Sequence, residues 1–93
     1  MNLTIVGYWG AYPERSEATS SYLLEEEGFY LLIDFGSGCL SQLQNYISLN
    51  RLNAVILSHY HHDHVADVGP LQYALLVHSY LGAENIPLPI YAP

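Results

Sequence analysis

Leu52-Asn53-Ala54-Val55-Ile56-Leu57-Ser58-His59-Tyr60-His61-His62-Asp63-His64 is an apolar run that breaks off into four histidines and an aspartate. The run over Leu52–Ser58 reads as a strand buried on both faces, because its apolar residues are nearly continuous rather than alternating. Four of the five histidines in the chain fall within residues 59–64. Imidazole and carboxylate are the usual ligands of borderline metals such as zinc. The place also suits a site, since open α/β sheets bind ligands just beyond the carboxyl ends of their strands. A solvated histidine-rich loop or an expression tag is the bland alternative. A tag fits poorly, because the segment is internal and flanked by apolar structure.

The spacing has a mechanical meaning. On an extended segment, residues two apart project to the same side, so His59 and His61 can grip one ion. Asp63 and His64 follow where the chain turns into the next helix, and can reach a second ion. Two metals about 3.5–4 Å apart can clamp the attacking and leaving oxygens of a displacement.

Outward from this segment the pattern is mixed. Residues 1–8 read as a short strand ended by Gly7 and Gly10. Thr19–Glu26 and Phe29–Phe35 are β-prone runs joined by Glu27-Gly28, a tight hairpin turn. Gly36-Ser37-Gly38 breaks the second run, and Ser37 is a candidate cap for a helix carrying Leu40, Leu43 and Ile47 on one face. A second helix is predicted over about residues 68–81, with Leu71, Ala74, Leu75 and His78 on one face. Tyr73, Leu76 and Tyr80 extend its apolar surface, so it is expected to be mostly buried and His78 to be a packed core histidine. Pro87 and Pro89 precede another strand at Ile90-Tyr91. The order β, ββ, α, β, α, β is an α/β arrangement.

The chain is 51% hydrophobic and 12% charged, well away from the composition of a disordered segment. No stretch approaches the roughly 18 uninterrupted apolar residues of a membrane span, and residues 1–8 do not read as a signal peptide. The single cysteine, Cys39, excludes an internal disulfide and reads as buried filler. It fits a reducing compartment, and a cytoplasmic location is expected. The net charge is −7, with only Arg15 and Arg51 basic. Nucleic-acid binding through phosphates needs clustered Lys and Arg, which this segment lacks.

His59-x-His61-x-Asp63-His64 after an apolar strand resembles the metal motif of the metallo-β-lactamase superfamily. Gly7 through Pro13 and Arg15, followed by Thr19-Ser20-Ser21-Tyr22-Leu23, is similar to the opening of its ribonuclease Z-like branch. Leu32-Ile33-Asp34-Phe35-Gly36-Ser37-Gly38 resembles that branch's first motif. The resemblance implies the N-terminal half of an αββα sandwich spanning residues 1–93. It implies His59 and His61 as ligands of a first zinc ion, and Asp63 and His64 as ligands of a second. Asp63 would also orient or deprotonate the attacking water, and His62 would ligate nothing. Asp34 would brace the metal loop, with a strand-end turn residue before Gly36 as a reading nearly as good. Gly36-Ser37-Gly38 suits an anion site or a tight strand-to-helix turn.

What the resemblance implies about activity is a zinc-dependent hydrolase of a phosphodiester or related small-molecule ester, working by metal-activated hydroxide. A thioester or lactone hydrolase on the same metal pair is the alternative, and a non-catalytic metal-binding half-domain is the rival of another class. The family completes its site with further histidines and a bridging aspartate. After His64 this chain offers only His78, Asp67 and Glu84, none in a recognisable motif. Each ion would have two protein ligands here, where catalytic zinc has three plus water. The segment alone is therefore expected to bind metal weakly and to be inactive. It supplies roughly one sheet and its helices, so association, such as a homo-oligomer, is expected to cover the exposed inner face.

Overall fold

The computed structural model describes residues 1–82 and 87–93; Glu84 lies outside them. Five strands form one sheet in the order β1 (Asn2–Gly7), β2 (Ser21–Glu26), β3 (Phe29–Ile33), β4 (Ala54–Ile56) and β5 (Ile90–Tyr91). β1, β2 and β3 are antiparallel neighbours, whereas β4 joins β3 and β5 joins β4 in parallel. In the antiparallel half, a loop over residues 8–20 joins β1 to β2 and a two-residue turn joins β2 to β3. Glu27 and Gly28 both have positive φ, 49° and 83°, as a tight primed hairpin turn requires. The parallel half needs crossovers, which the helices supply. These are α1 (Cys39–Leu43), α2 (His62–Val65) and α3 (Val68–Tyr80), with a single 3-10 turn at Leu49–Arg51. No helix among the described residues is long and apolar enough to cross a membrane.

The two faces of the sheet have different fates. Leu23, Leu32 and Val55 point to one side, where Phe35, Cys39, Leu43, Ile47 and Leu71 complete a buried core. On the other side, Ile5, Tyr22, Ile33, Ile56 and Tyr91 are register partners in one row across all five strands. Ile5 is 54% and Tyr91 60% exposed. The expectation that the 52–58 strand is buried on both faces is therefore corrected. Val55 is fully buried, but Ile56 stands at the surface because no second layer among the described residues covers it.

α3 departs from expectation in the same way. A helix apolar all round can bury only the stripe that faces its sheet. Leu71 is fully buried and Ala74 and Leu75 pack partly, while Tyr73, Leu76, Val77 and Tyr80 are exposed. His78 is half-buried rather than a core histidine. α1 is shorter than the 40/43/47 spacing suggests; Ile47 reaches the core through one further turn, donating its N–H to the Leu43 carbonyl.

Ser37 does not cap α1. The cap position is Gly38, whose φ of 84° turns the chain inward, and the Ser37 carbonyl instead accepts the Thr19 N–H. The Asp67 carboxylate takes the capping role from across the fold, accepting the Leu40 N–H at 2.9 Å. Cys39 is buried as expected, and burial pushes its thiol up to about 11, so it is not a reactive nucleophile.

Candidate metal centre

β4 ends at Ile56, and the histidine segment leaves the sheet at its carboxyl edge. His61 has extended backbone at the start of α2, and His62–Val65 then make one helical turn. This change from extended to helical backbone brings the side chains together. The rings of His59 and His61 lie edge to face with centroids 4.7 Å apart. Those of His59 and His64 are closer, at 4.0 Å. Asp63 Oδ2 is 3.5 Å from His64 Nε2. His59, His61, Asp63 and His64 thus occupy one cluster, while His62 faces solvent. Among the described residues, no three His, Cys, Asp or Glu groups are arranged as a finished metal cage.

The cluster is held from behind by Asp34. This residue sits at the end of β3 with φ of 63°, a left-handed conformation unusual for a side-chain-bearing residue. It is 4% exposed. Its N–H donates to the Ile56 carbonyl, joining β3 to β4. Its Oδ1 accepts the Ser58 N–H, and its Oδ2 accepts the Ser58 hydroxyl, both at 2.8 Å. His64 Nδ1 lies 2.8 Å from the same Oδ2. An ionised carboxylate can only accept, so Nδ1 carries a proton, and the lone pair of the neutral ring is on Nε2. The backbone adds two ties: Phe35 N–H to the His64 carbonyl and Asp67 N–H to the Phe35 carbonyl.

Burial pushes the Asp34 carboxyl up, but the hydrogen bonds from the Ser58 N–H, His64 and the Ser58 hydroxyl outweigh it and hold the group below its ordinary range. Because the folded carboxyl titrates below the unfolded one, Asp34 contributes stability that is fully present above about pH 4 and is lost as pH falls through the folded value. Asp34→Asn is accordingly expected to be less stable than the parent at about pH 7, with the gap narrowing at about pH 3. Urea midpoints at the two pH values measure this; a gap independent of pH would contradict it.

Asp63 is held by a different neighbour. The N–H of Ala11 donates to its Oδ2 at 3.1 Å from the loop between β1 and β2. That hydrogen bond, together with the nearby His64 and His61, holds its carboxyl below the usual range. Ala11 reaches it from a left-handed backbone, φ 64°.

Ser58, Ala11 and Asp67 are the residues that sequence reading missed. Ser58 was detectable in principle, as a hydroxyl immediately before the first histidine. Ala11 carried no signal, because a backbone N–H acts there, 52 residues from its partner.

The donors suit a divalent metal by their chemistry. Imidazole nitrogens with a carboxylate oxygen are a zinc-type set, and the Nε2 atom of His64 is turned inward by the bond its other nitrogen makes.

Comparison with known proteins places the chain in a family. The profile described as the metallo-beta-lactamase superfamily matches residues 16–93. The chain is 50% identical over 91 residues to the "Probable metallo-hydrolase YhfI" of Bacillus subtilis, covering 98% of this chain and 37% of the relative. The crystal structure of that fold protein superposes with a TM-score of 0.94 at 51% identity, over 97% of this chain and 37% of that one. A ribonuclease Z of Mycobacterium sp. (strain KMS) is 32% identical over 94 residues, covering 100% of this chain and 32% of the relative. Human tRNase Z, short form, shares the fold, with a TM-score of 0.75 at 20% identity over 100% of this chain and 45% of that one. The chain spans about a third of the length of these curated relatives.

Proposed function

The chain belongs to the metallo-beta-lactamase superfamily, and from that premise we propose that the whole protein is a zinc-dependent hydrolase of a phosphodiester or similar small ester. The observation that carries this reading is the convergence of His59, His61, Asp63 and His64 at a strand end, with His64 turned to offer Nε2 beside Asp63. In this reading His59 and His61 hold one ion and Asp63 and His64 a second. Ions held by these residues would supply activation of a water and would offset the charge that develops on the substrate oxygen. Asp63 would orient that water and take its proton, a role supported by the Ala11 N–H that holds its carboxylate in one orientation.

A substrate of modest size is favoured over a folded RNA by the balance of charge. With −7 overall and two arginines, the segment offers little to attract a polyphosphate backbone. The reading extends to association: the uncovered row from Ile5 to Tyr91 is apolar enough to be covered in the whole protein by further chain or by a second copy.

The test is hydrolysis of bis(4-nitrophenyl) phosphate by zinc-loaded full-length protein, followed as nitrophenolate release, beside an aryl thioester and a lactone. Turnover of the diester that vanishes with chelator is the expected result. Turnover confined to the thioester or lactone would move the substrate class. No turnover of any of them would remove the hydrolase reading.

A further inference from the structure

One hydroxyl group lies between His59 and the carboxylate that braces His64. Ser58 Oγ is 2.8 Å from Asp34 Oδ2 and 2.8 Å from His59 Nδ1. A serine hydroxyl has a single proton to give. Asp34 is a carboxylate at neutral pH and can only accept, so a lone pair of Ser58 directed at it would be repelled. The proton therefore goes to Asp34, leaving the serine oxygen to accept. What it accepts is a proton on His59 Nδ1, and the lone pair of His59 is then on Nε2.

We infer that Ser58 is a positioning residue: its hydroxyl fixes His59 as the Nδ1–H tautomer and, through the shared Asp34 Oδ2, sets His59 and His64 together with Nε2 free on both. One carboxylate oxygen thus governs two rings, His64 directly and His59 through a serine. The two ring centroids lie 4.0 Å apart. The purpose of the arrangement rests on the metal-site reading above, whereas the tautomers follow from hydrogen bonding alone. An unanchored neutral imidazole distributes its proton between the two nitrogens, so only part of the population would present the nitrogen the site needs. Holding a ligand in the right tautomer is worth about 10–100-fold in metal affinity.

The test uses full-length protein labelled with ring nitrogen-15 and freed of metal, at about pH 8. Long-range proton–nitrogen correlations distinguish the two tautomers. In the parent, His59 and His64 should both show the Nδ1–H pattern. In Ser58→Ala, His59 should shift towards Nε2–H while His64 keeps its pattern. Ser58→Thr, which retains the hydroxyl, should restore the parent spectrum. Zinc titration against a chromophoric chelator should show about a ten-fold loss for one equivalent in Ser58→Ala and recovery in Ser58→Thr. A parent in which His59 already carries its proton on Nε2 would overturn the inference, and needs no variant to fold. So would a His59 pattern, or a zinc affinity, that Ser58→Ala leaves unchanged. Correct tautomers in a protein that turns over no ester would instead fault the hydrolase reading and leave the role of Ser58 standing.

Discussion

Replacing Asp63 by alanine in the zinc-loaded full-length protein is expected to lower kcat/KM for a phosphodiester by about 1,000-fold, within the range lost when a positioned acid or base is removed. Asp63 serves two purposes in the proposed reaction. Its Oδ2, 3.5 Å from His64 Nε2, would complete this chain's share of the second metal site, and the same carboxylate would take the proton of the attacking water. The loss should fall on kcat more than on KM if the carboxylate acts chiefly in the transition state. The loss of stability should be small, that of the Ala11 N–H hydrogen bond to a partly open side chain, about 1 kcal/mol. Metal analysis beside the kinetics separates the two purposes. Asp63→Asn that keeps two zinc equivalents yet loses turnover would assign the proton transfer to this residue. Parent-like turnover in Asp63→Ala would remove Asp63 from the reaction altogether.

The largest structural effect belongs to Gly36→Ala. A Cβ built on Gly36 would lie 1.9 Å from the Asp63 carbonyl oxygen and 2.0 Å from Thr19 Oγ1. No real Cβ approaches so closely, and the first obstacle is backbone that cannot rotate away. The turn after β3 and the first turn of α2 must therefore separate, breaking the Phe35 N–H bond to the His64 carbonyl and the Asp67 N–H bond to the Phe35 carbonyl. The expected cost is about 3 kcal/mol or more, at the upper end for overpacking because main chain must move. A fall in Tm of about 10 °C would correspond to it. Zinc affinity should fall as well, since His64 moves away from Asp34. Gly10→Ala is the matched control: its Cβ would meet nothing within 4 Å, and stability should stay within about 0.5 kcal/mol of the parent. Equal melting of the two variants would show that the close approach at Gly36 is not real.

Much of this was legible in the sequence, and what was not has a common cause. The histidine segment declared itself by residue type and spacing. Glu27-Gly28 declared a hairpin, and both residues take the positive φ that such a turn needs. The second helix, expected over 68–81, runs Val68–Tyr80. Periodicity reports which residues are apolar, however, and not what covers them. For that reason Tyr73, Leu76 and Tyr80 looked buried and are exposed, and Ile56 looked enclosed and is not. Contacts across long separations were equally silent. Nothing in the local sequence of Asp34 says that it meets His64, 30 residues on, or that Asp67 will cap a helix 27 residues behind it. Ser37, the local candidate for that cap, lost the position because Gly38 takes a left-handed turn there.

Asp34 stands where the sheet changes from antiparallel to parallel, and its main chain and side chain do different jobs at that seam. The amide clasps Ile56, and the carboxylate clasps Ser58 and His64. Unzipping β4 from β3 and disarming the histidines are consequently a single fluctuation, so a half-opened sheet has no working cluster to offer. An ion that binds only the zipped form pulls the population towards it by mass action. It would in this way tighten a strand pair it never touches.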